Sequence, residues 1–258
     1  MGSVTGGAPD SLAIVIPTYD ERSNIEPLLF EFARLRANWD RVFHIIFVDD
    51  SSPDGTGEAA DRLGKRLGIS LTVVTRPPPR NLGTAIAEGI ARTDANLVCV
   101  MDADLSHPPS LLPSMLDRLD GFDGVVASRY APGGRITDWP VHRRLISYVA
   151  TALAQSVSKG RCTDPLSGYF LFRNSAIRGV SVTGLGNKPL LEVLSQTSLA
   201  ICDLPYEFGN RKNGTSKLSL AGILGFVRLL ALSASRARAS NRALRSHTDQ
   251  ASSQSRES

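Results

Sequence analysis

Only three cysteines occur in the 258 residues, Cys99, Cys162 and Cys202, and their scatter and odd number give no paired spacing. That excludes a disulfide framework and a cysteine zinc site, and it implies the reduced thiols of a cytosolic compartment. No run reaches the ~20 consecutive apolar residues needed to cross a bilayer. The nearest stretch, Leu218 to Leu232, is interrupted by Arg228 and followed by Arg236, Arg238, Arg242 and Arg245. It reads either as an interfacial helix with its basic tail near anionic headgroups or as a helix that caps the domain. Met1 to Asp10 is Gly-rich with neither a cationic start nor an apolar run, so no secretory signal is expected. A basic helix interleaved with aromatics is also missing, which excludes nucleic acid as a partner. Acids are scarce beyond Arg173, although the whole chain is only mildly basic, with 29 Lys and Arg against 25 Asp and Glu. The bias suits an anionic substrate or membrane surface, and it equally suits a merely solubilising surface.

What the chain has is a repeated device: an apolar run that ends abruptly in acids. Leu12 to Ile16 leads into Pro17-Thr18-Tyr19-Asp20-Glu21, and His44 to Val48 leads into Asp49-Asp50-Ser51-Ser52-Pro53-Asp54-Gly55-Thr56. Leu97 to Met101 leads into Asp102-Ala103-Asp104-Leu105-Ser106-His107-Pro108. Between these strands lie helices from about Gly57 to Leu67 and Gly83 to Arg92, with a further strand at Leu71 to Val74. Alternating apolar strands and helices predict a mostly parallel central sheet covered on both faces, with ligands outside the carboxyl ends of its strands. All three acidic clusters fall on that edge. In a strand, residues two apart share a side, so Asp102 and Asp104 can aim at one hard cation. A solvated strand end is the plainer reading of such a pair taken alone. The length suits one sizeable domain, expected over residues 12–232 between a flexible N-terminus, 1–11, and a basic disordered tail, 233–258.

These three clusters, in this order and spacing, resemble the family 2 glycosyltransferases with a GT-A fold, and more narrowly the dolichol-phosphate or polyprenol-phosphate mannose synthases. The resemblance continues through Ser128-Arg129-Tyr130, Arg143-Arg144-Leu145-Ile146-Ser147, Asp164-Pro165-Leu166-Ser167-Gly168-Tyr169, Lys188-Pro189 and Arg211-Lys212-Asn213-Gly214. It implies a GT-A α/β fold and an inverting, metal-dependent transfer of mannose from GDP-mannose to a polyprenyl phosphate. The setting it implies is cytoplasmic, peripheral at the cytosolic face of a membrane, with a separate membrane anchor protein left open.

Carried over residue by residue, the resemblance places Mg2+ or Mn2+ on Asp102, Asp104 and Ser106; Ser106 stands where relatives carry Gln. Pro17, Tyr19, Glu21, Val48, Asp50, Ala103 and Lys188 fall at positions surrounding the donor, where carboxylates accept from base N–H or ribose O–H groups and Tyr19 offers its ring. Asp54 has a strong alternative as a turn and cap residue, and Asp49 is as readily structural. A phosphate acceptor is already anionic, so it needs cations that position it rather than a general base. Arg129, Arg143 and Arg211 match those positions beside the catalytic Asp104, with Ser147 as a hydrogen-bonding neighbour and Arg144 and Lys217 ranked behind them. Pro132 to Trp139 is expected to fold over the donor, or else to be an ordinary surface loop. Two departures stand out: Pro77-Pro78-Pro79 before Asn81-Leu82-Gly83-Thr84-Ala85, and Asn187 and Pro189 around Lys188. The alternatives are a related transferase using UDP-glucose or another donor, one serving a secondary-metabolite pathway, and a noncatalytic nucleotide-binding subunit.

Overall fold

In a computed structural model of the protein, residues 11–137, 139–158, 160–184, 187–209 and 225–232 are described. Arg211, Lys217, most of the N-terminal segment and the basic tail from residue 233 lie outside the described residues.

The chain opens as expected. Strands β1 (Leu12–Thr18), β2 (Phe43–Asp49), β3 (Leu71–Thr75) and β4 (Leu97–Val100) are joined in turn by helices α1 (Arg22–Ala37), α2 (Thr56–Leu67) and α3 (Leu82–Ala91). Then come α4 (Leu112–Asp117), β5 (Gly124–Ser128), β6 (Arg135–Ile136), α5 (Val141–Val157), β7 (Phe170–Arg173), α6 (Asn174–Ile177), α7 (Pro189–Gln196), β8 (Ile201–Pro205) and β9 (Glu207–Phe208). The main sheet runs β3-β2-β1-β4-β7-β5-β8, while β6 and β9 form a separate parallel ribbon. Among the described residues β7 alone runs against its sheet neighbours, β4 and β5. The mostly parallel α/β architecture expected from the sequence is thus the one adopted.

Side chains in a strand alternate between faces, and here both alternating sets are apolar. Leu12, Ile14 and Ile16 of β1 join Phe43, Ile45 and Phe47 of β2 in a core with Ile25, Leu28, Leu29 and Phe32 of α1. Ala13 and Val15 join Ile46, Val48, Val98 and Val100 in a second core with Ala85 and Ile86 of α3 and Leu190 and Leu194 of α7. Fully burying each large apolar side chain contributes about 1.5–3 kcal/mol before entropy is counted. Helical residues 225–232 supply Leu229 to a third, smaller cluster with Ala154 and Leu191. This described part of the expected interfacial helix is therefore packed against the domain on one side.

One expectation is corrected. Ladder pairing of β4 stops at Val100, opposite Val15 and Phe170, and the Met101 N–H makes a last bond to Val15 O at 3.2 Å. Asp102 and Asp104 lie beyond the strand, so strand alternation does not orient them. A turn does.

Gly89 of α3 lies so close to the sheet that a Cβ there would meet Val15 Cγ1 at 2.4 Å and Val48 Cγ2 at 3.0 Å. Gly89→Ala is expected to destabilise the fold by about 1–3 kcal/mol through overpacking, read as a lowered urea midpoint.

Candidate active site

The turns leaving β1, β2 and β4 share an unusual backbone. Asp20 (φ 58°), Ser51 (φ 53°) and Leu105 (φ 65°) occupy the left-handed region, and so does Asn187 (φ 52°) beside Lys188. Among the described residues these are all of the non-glycine residues with positive φ, and each adjoins a residue singled out by sequence. A bulky residue such as Leu adopts this conformation only where its surroundings over-determine it.

The first two turns are bolted together. Ser52 Oγ accepts from Asp20 N at 3.1 Å, Thr56 Oγ1 from Glu21 N at 3.0 Å, and Asp54 Oδ2 from Arg22 N at 3.0 Å. Asp49 accepts from Thr18 Oγ1 at 3.1 Å and from the Ser52 N–H at 3.0 Å. Asp49 and Asp54 are therefore structural. Burial works against charge on Asp54, but hydrogen bonds from Thr56 and Arg22 outweigh it and lower its pKa.

Asp50, buried at the end of β2, is the polar centre of this side. Its Oδ2 accepts from Asn81 N at 3.2 Å, its Oδ1 lies 3.2 Å from Arg76 Nη1, and its carbonyl accepts from Arg80 Nε at 3.3 Å. Apart from that ion pair, the buried Oδ1 accepts no hydrogen bond among the described residues. The Arg80 guanidinium stacks 3.9 Å above the Tyr19 ring, and Asn24 Nδ2 donates to Glu21 Oε2 at 2.6 Å. Val48 is buried, while Pro17 and Tyr19 are half-buried. Lys188 caps the start of α7 and follows Gly184, whose carbonyl accepts from Asn81 Nδ2 at 3.4 Å. The proline-rich departure thus brings Arg76 and Arg80 into the site; arginines flanking three prolines were the only signal for them.

In the third turn Asp104 is buried and its Oδ1 accepts from Ser106 N at 3.1 Å and from Ser106 Oγ. Ser106, expected as a metal ligand, spends its hydroxyl on holding Asp104. The Asp102 side chain is 33% exposed, Ala103 is buried, and the Asp102 N–H donates to His107 Nδ1 at 3.0 Å. Gly168 closes the other side: a Cβ there would stand 3.1 Å and 3.4 Å from the Asp102 carboxylate oxygens. Among the described residues no cluster of three or more His, Cys, Asp or Glu could hold an ion. Two carboxylates on one turn fit a hard cation that completes its shell with oxygens from outside the protein.

Arg129 follows β5. Its Nε and Nη2 donate to Asp164 Oδ2 and Oδ1 at 2.7 and 2.8 Å, and its backbone N–H reaches Asp164 Oδ2 at 3.2 Å. Burial alone would lower the Arg129 pKa, but the adjacent carboxylate reverses this and raises it, so the cation persists. Arg129 lines a cavity of about 430 Å³ with Arg135, Arg144, Tyr130, Leu145 and Tyr148. Tyr130 Oη donates to Ser147 Oγ at 2.8 Å, and Arg143 stacks 3.8 Å over Trp139. Arg144, ranked behind Arg143 by sequence, and Arg135, missed entirely, are the arginines that face this cavity beside Arg129. The segment expected to fold over the donor is stitched in place where Arg135 and Ile136 pair with Glu207 and Phe208. Also missed was Tyr206, whose buried hydroxyl has no hydrogen-bond partner among the described residues and whose ring lies 6.2 Å from that of His107.

Residues 13–180 match the Glycosyl transferase family 2 model. The dolichol-phosphate mannosyltransferase of Pyrococcus furiosus is 35% identical over 222 residues, covering 84% of this chain and 62% of that protein; the chain thus spans less than two thirds of that relative. The protein of the same name from Saccharomyces cerevisiae is 33% identical, covering 84% of this chain and 85% of that one. Among solved structures, glucosyl-3-phosphoglycerate synthase from Mycobacterium tuberculosis, in complex with Mn2+, UDP and phosphoglyceric acid, has a TM-score of 0.64 at 19% identity, covering 87% of this chain and 78% of that one. A mannosyltransferase from Pyrobaculum calidifontis, in complex with GDP-Man and Mn2+, has a TM-score of 0.57 at 16% identity over 90% of this chain and 75% of that one. These two likenesses establish the fold.

Asp164 is fully buried, so removing either partner of its pair leaves a charge stranded. Asp164→Ala is expected to cost about 3–5 kcal/mol in urea denaturation, and adding Arg129→Met to recover much of that loss.

Proposed function

The chain belongs to glycosyl transferase family 2, and from that premise we propose that it transfers mannose, with inversion, from GDP-mannose to a polyprenyl phosphate of the dolichyl type. The observation that carries this reading is the cavity lined by Arg129, Arg135 and Arg144, which combines guanidinium groups with an apolar, solvent-facing wall. A lipid phosphate asks for both.

On this reading the base and ribose lie against Tyr19 and Asp50, whose buried Oδ1 is an acceptor for a base N–H, with Pro17, Glu21, Val48, Ala103 and Lys188 shaping the same pocket. Asp102 and Asp104 would hold Mg2+ or Mn2+, which when bound offsets the charge developing on the departing diphosphate. Ser106 serves by fixing Asp104. The acceptor oxygen is already ionised near neutral pH, so the protein's task is alignment and relief of anion repulsion. Arg129, held rigid by Asp164, supplies one cation; Arg135 and Arg144 supply others, and Arg143 and Arg211 are assigned the same duty from their motif positions.

The wall continues along α5. Leu145, Ile146, Tyr148, Val149 and Leu153 are all exposed on one arc of that helix, while Thr151 and Ala154 face the protein. Among the described residues no helix is long and apolar enough to cross a membrane. An apolar arc that begins at Arg143 and Arg144 suits contact with the surface of an anionic cytosolic leaflet.

Incubation with radiolabelled GDP-mannose, a divalent cation and a short polyprenyl phosphate should carry label into the organic phase, and Asp104→Ala should lower the rate about 100-fold or more. Label entering from UDP-glucose instead would move the donor assignment, and GDP-mannose binding without any transfer would return the noncatalytic reading. Val149→Asp with Leu153→Asp, both exposed and outside the cavity lining, should weaken flotation with anionic vesicles about tenfold while sparing turnover of a water-soluble short-chain acceptor.

A further inference from the structure

We propose that His107 is a positioning residue: by accepting the Asp102 backbone N–H on Nδ1, it sets the turn in which Asp102 and Asp104 take a divalent cation. The inference rests on the divalent-ion reading above and goes beyond it, because His107 itself is not among the ligands assigned there.

The need for such a residue follows from where the sheet stops. The Met101 N–H is the last of β4 to find a strand partner, on Val15 O. The next N–H, that of Asp102, is half-buried and finds its partner outside the ladder. A donor removed from water in this way requires an acceptor. The chain provides one from five residues further on, after Leu105, in the left-handed region, has turned it back. The hydrogen bond at 3.0 Å requires a lone pair on Nδ1, so the ring proton sits on Nε2.

The imidazole is not free to swing. It is buried, stacked 5.2 Å from Tyr169 and flanked by Tyr206 at 6.2 Å and Phe208 at 5.8 Å. Tyr169 is in turn tethered by its hydroxyl to Pro108 O at 3.0 Å. Gly168 leaves no slack on the remaining side, since a Cβ there would meet His107 Cε1 at 3.0 Å. Nδ1 also stands 3.8 Å from Asp102 Oδ2. The ring therefore fixes the backbone of Asp102, and the short turn carries the constraint to both carboxylates.

Ring packing and the Nδ1 acceptor can be separated by substitution. His107→Phe keeps an aromatic ring among Tyr169, Tyr206 and Phe208 but removes the acceptor. His107→Asn places an amide oxygen near the Nδ1 position and removes the ring. His107→Gln carries its amide out toward the Nε2 position. Mn2+ binding is read by electron paramagnetic resonance in the presence of GDP, and folding by thermal denaturation. His107→Phe and His107→Gln are expected to raise the Mn2+ dissociation constant about tenfold or more, the scale of losing an outer-shell partner, whereas His107→Asn stays within about threefold of the parent. Melting should order the other way, with Asn below Phe. Parent-like Mn2+ affinity in His107→Phe would overturn the inference, as would a loss in His107→Asn equal to that in Phe. A parent that takes up no Mn2+ with GDP would overturn this inference together with the metal reading. A parent that binds Mn2+ alongside an unaltered Phe variant overturns this inference alone.

Discussion

The parallel register that holds β1 between β2 and β4 is the constraint on which everything else depends. Thr18 is paired with Asp49 and Val15 with Val100, so three strands release the chain at one edge of the sheet within a few residues of each other. Two cores clamp this sheet from its two faces, and the turns that leave it place Asp20, Ser51 and Leu105 in a backbone region costly for residues with a side chain. The sheet's stability is large enough to keep those turns strained, and the strained turns are where the chemistry is gathered.

A second dependency runs through the short segment from Asp164 to Tyr169. Asp164 grips the Arg129 guanidinium, and the Ser167 hydroxyl donates to Ala127 O at 2.7 Å. Gly168 lies against Asp102, and the Tyr169 ring stacks on His107. One six-residue segment thus reaches both Arg129 and the acidic turn. β7 follows at once, running antiparallel between β4 and β5, the strands that carry Asp102 and Arg129 at their ends. The reversed strand delivers one loop to two centres, which a purely parallel order would have separated.

Much of this was legible in the sequence, for reasons that mark where legibility ends. Apolar runs such as Leu12 to Ile16 and His44 to Val48 announce buried parallel strands because both faces must be greasy, and the acids after them announce the edge. The direction of β7 was not legible, since Phe170 to Arg173 is too short an apolar run to encode an orientation. The aim of Asp102 and Asp104 was misattributed to strand alternation, because periodicity says nothing about where a ladder stops. Arg135 and Arg144 were missed or ranked low, because a motif position identifies a residue without saying which neighbour will occupy its side chain. Asp164 lay within a quoted motif, yet only the fold brings it within 2.7 Å of Arg129 Nε.

The exposed face of α5 has a consequence for how this molecule would meet its substrate. On the proposed reading, a helix that presents Leu145, Val149 and Leu153 outward beside an arginine-lined cavity confines the encounter to a plane. For an enzyme working through such a face, the quantity that governs saturation is the number of acceptor molecules per unit area of bilayer. Inert lipid then acts as a diluent, and the same amount of acceptor spread over more membrane is a weaker substrate although its concentration in the tube is unchanged.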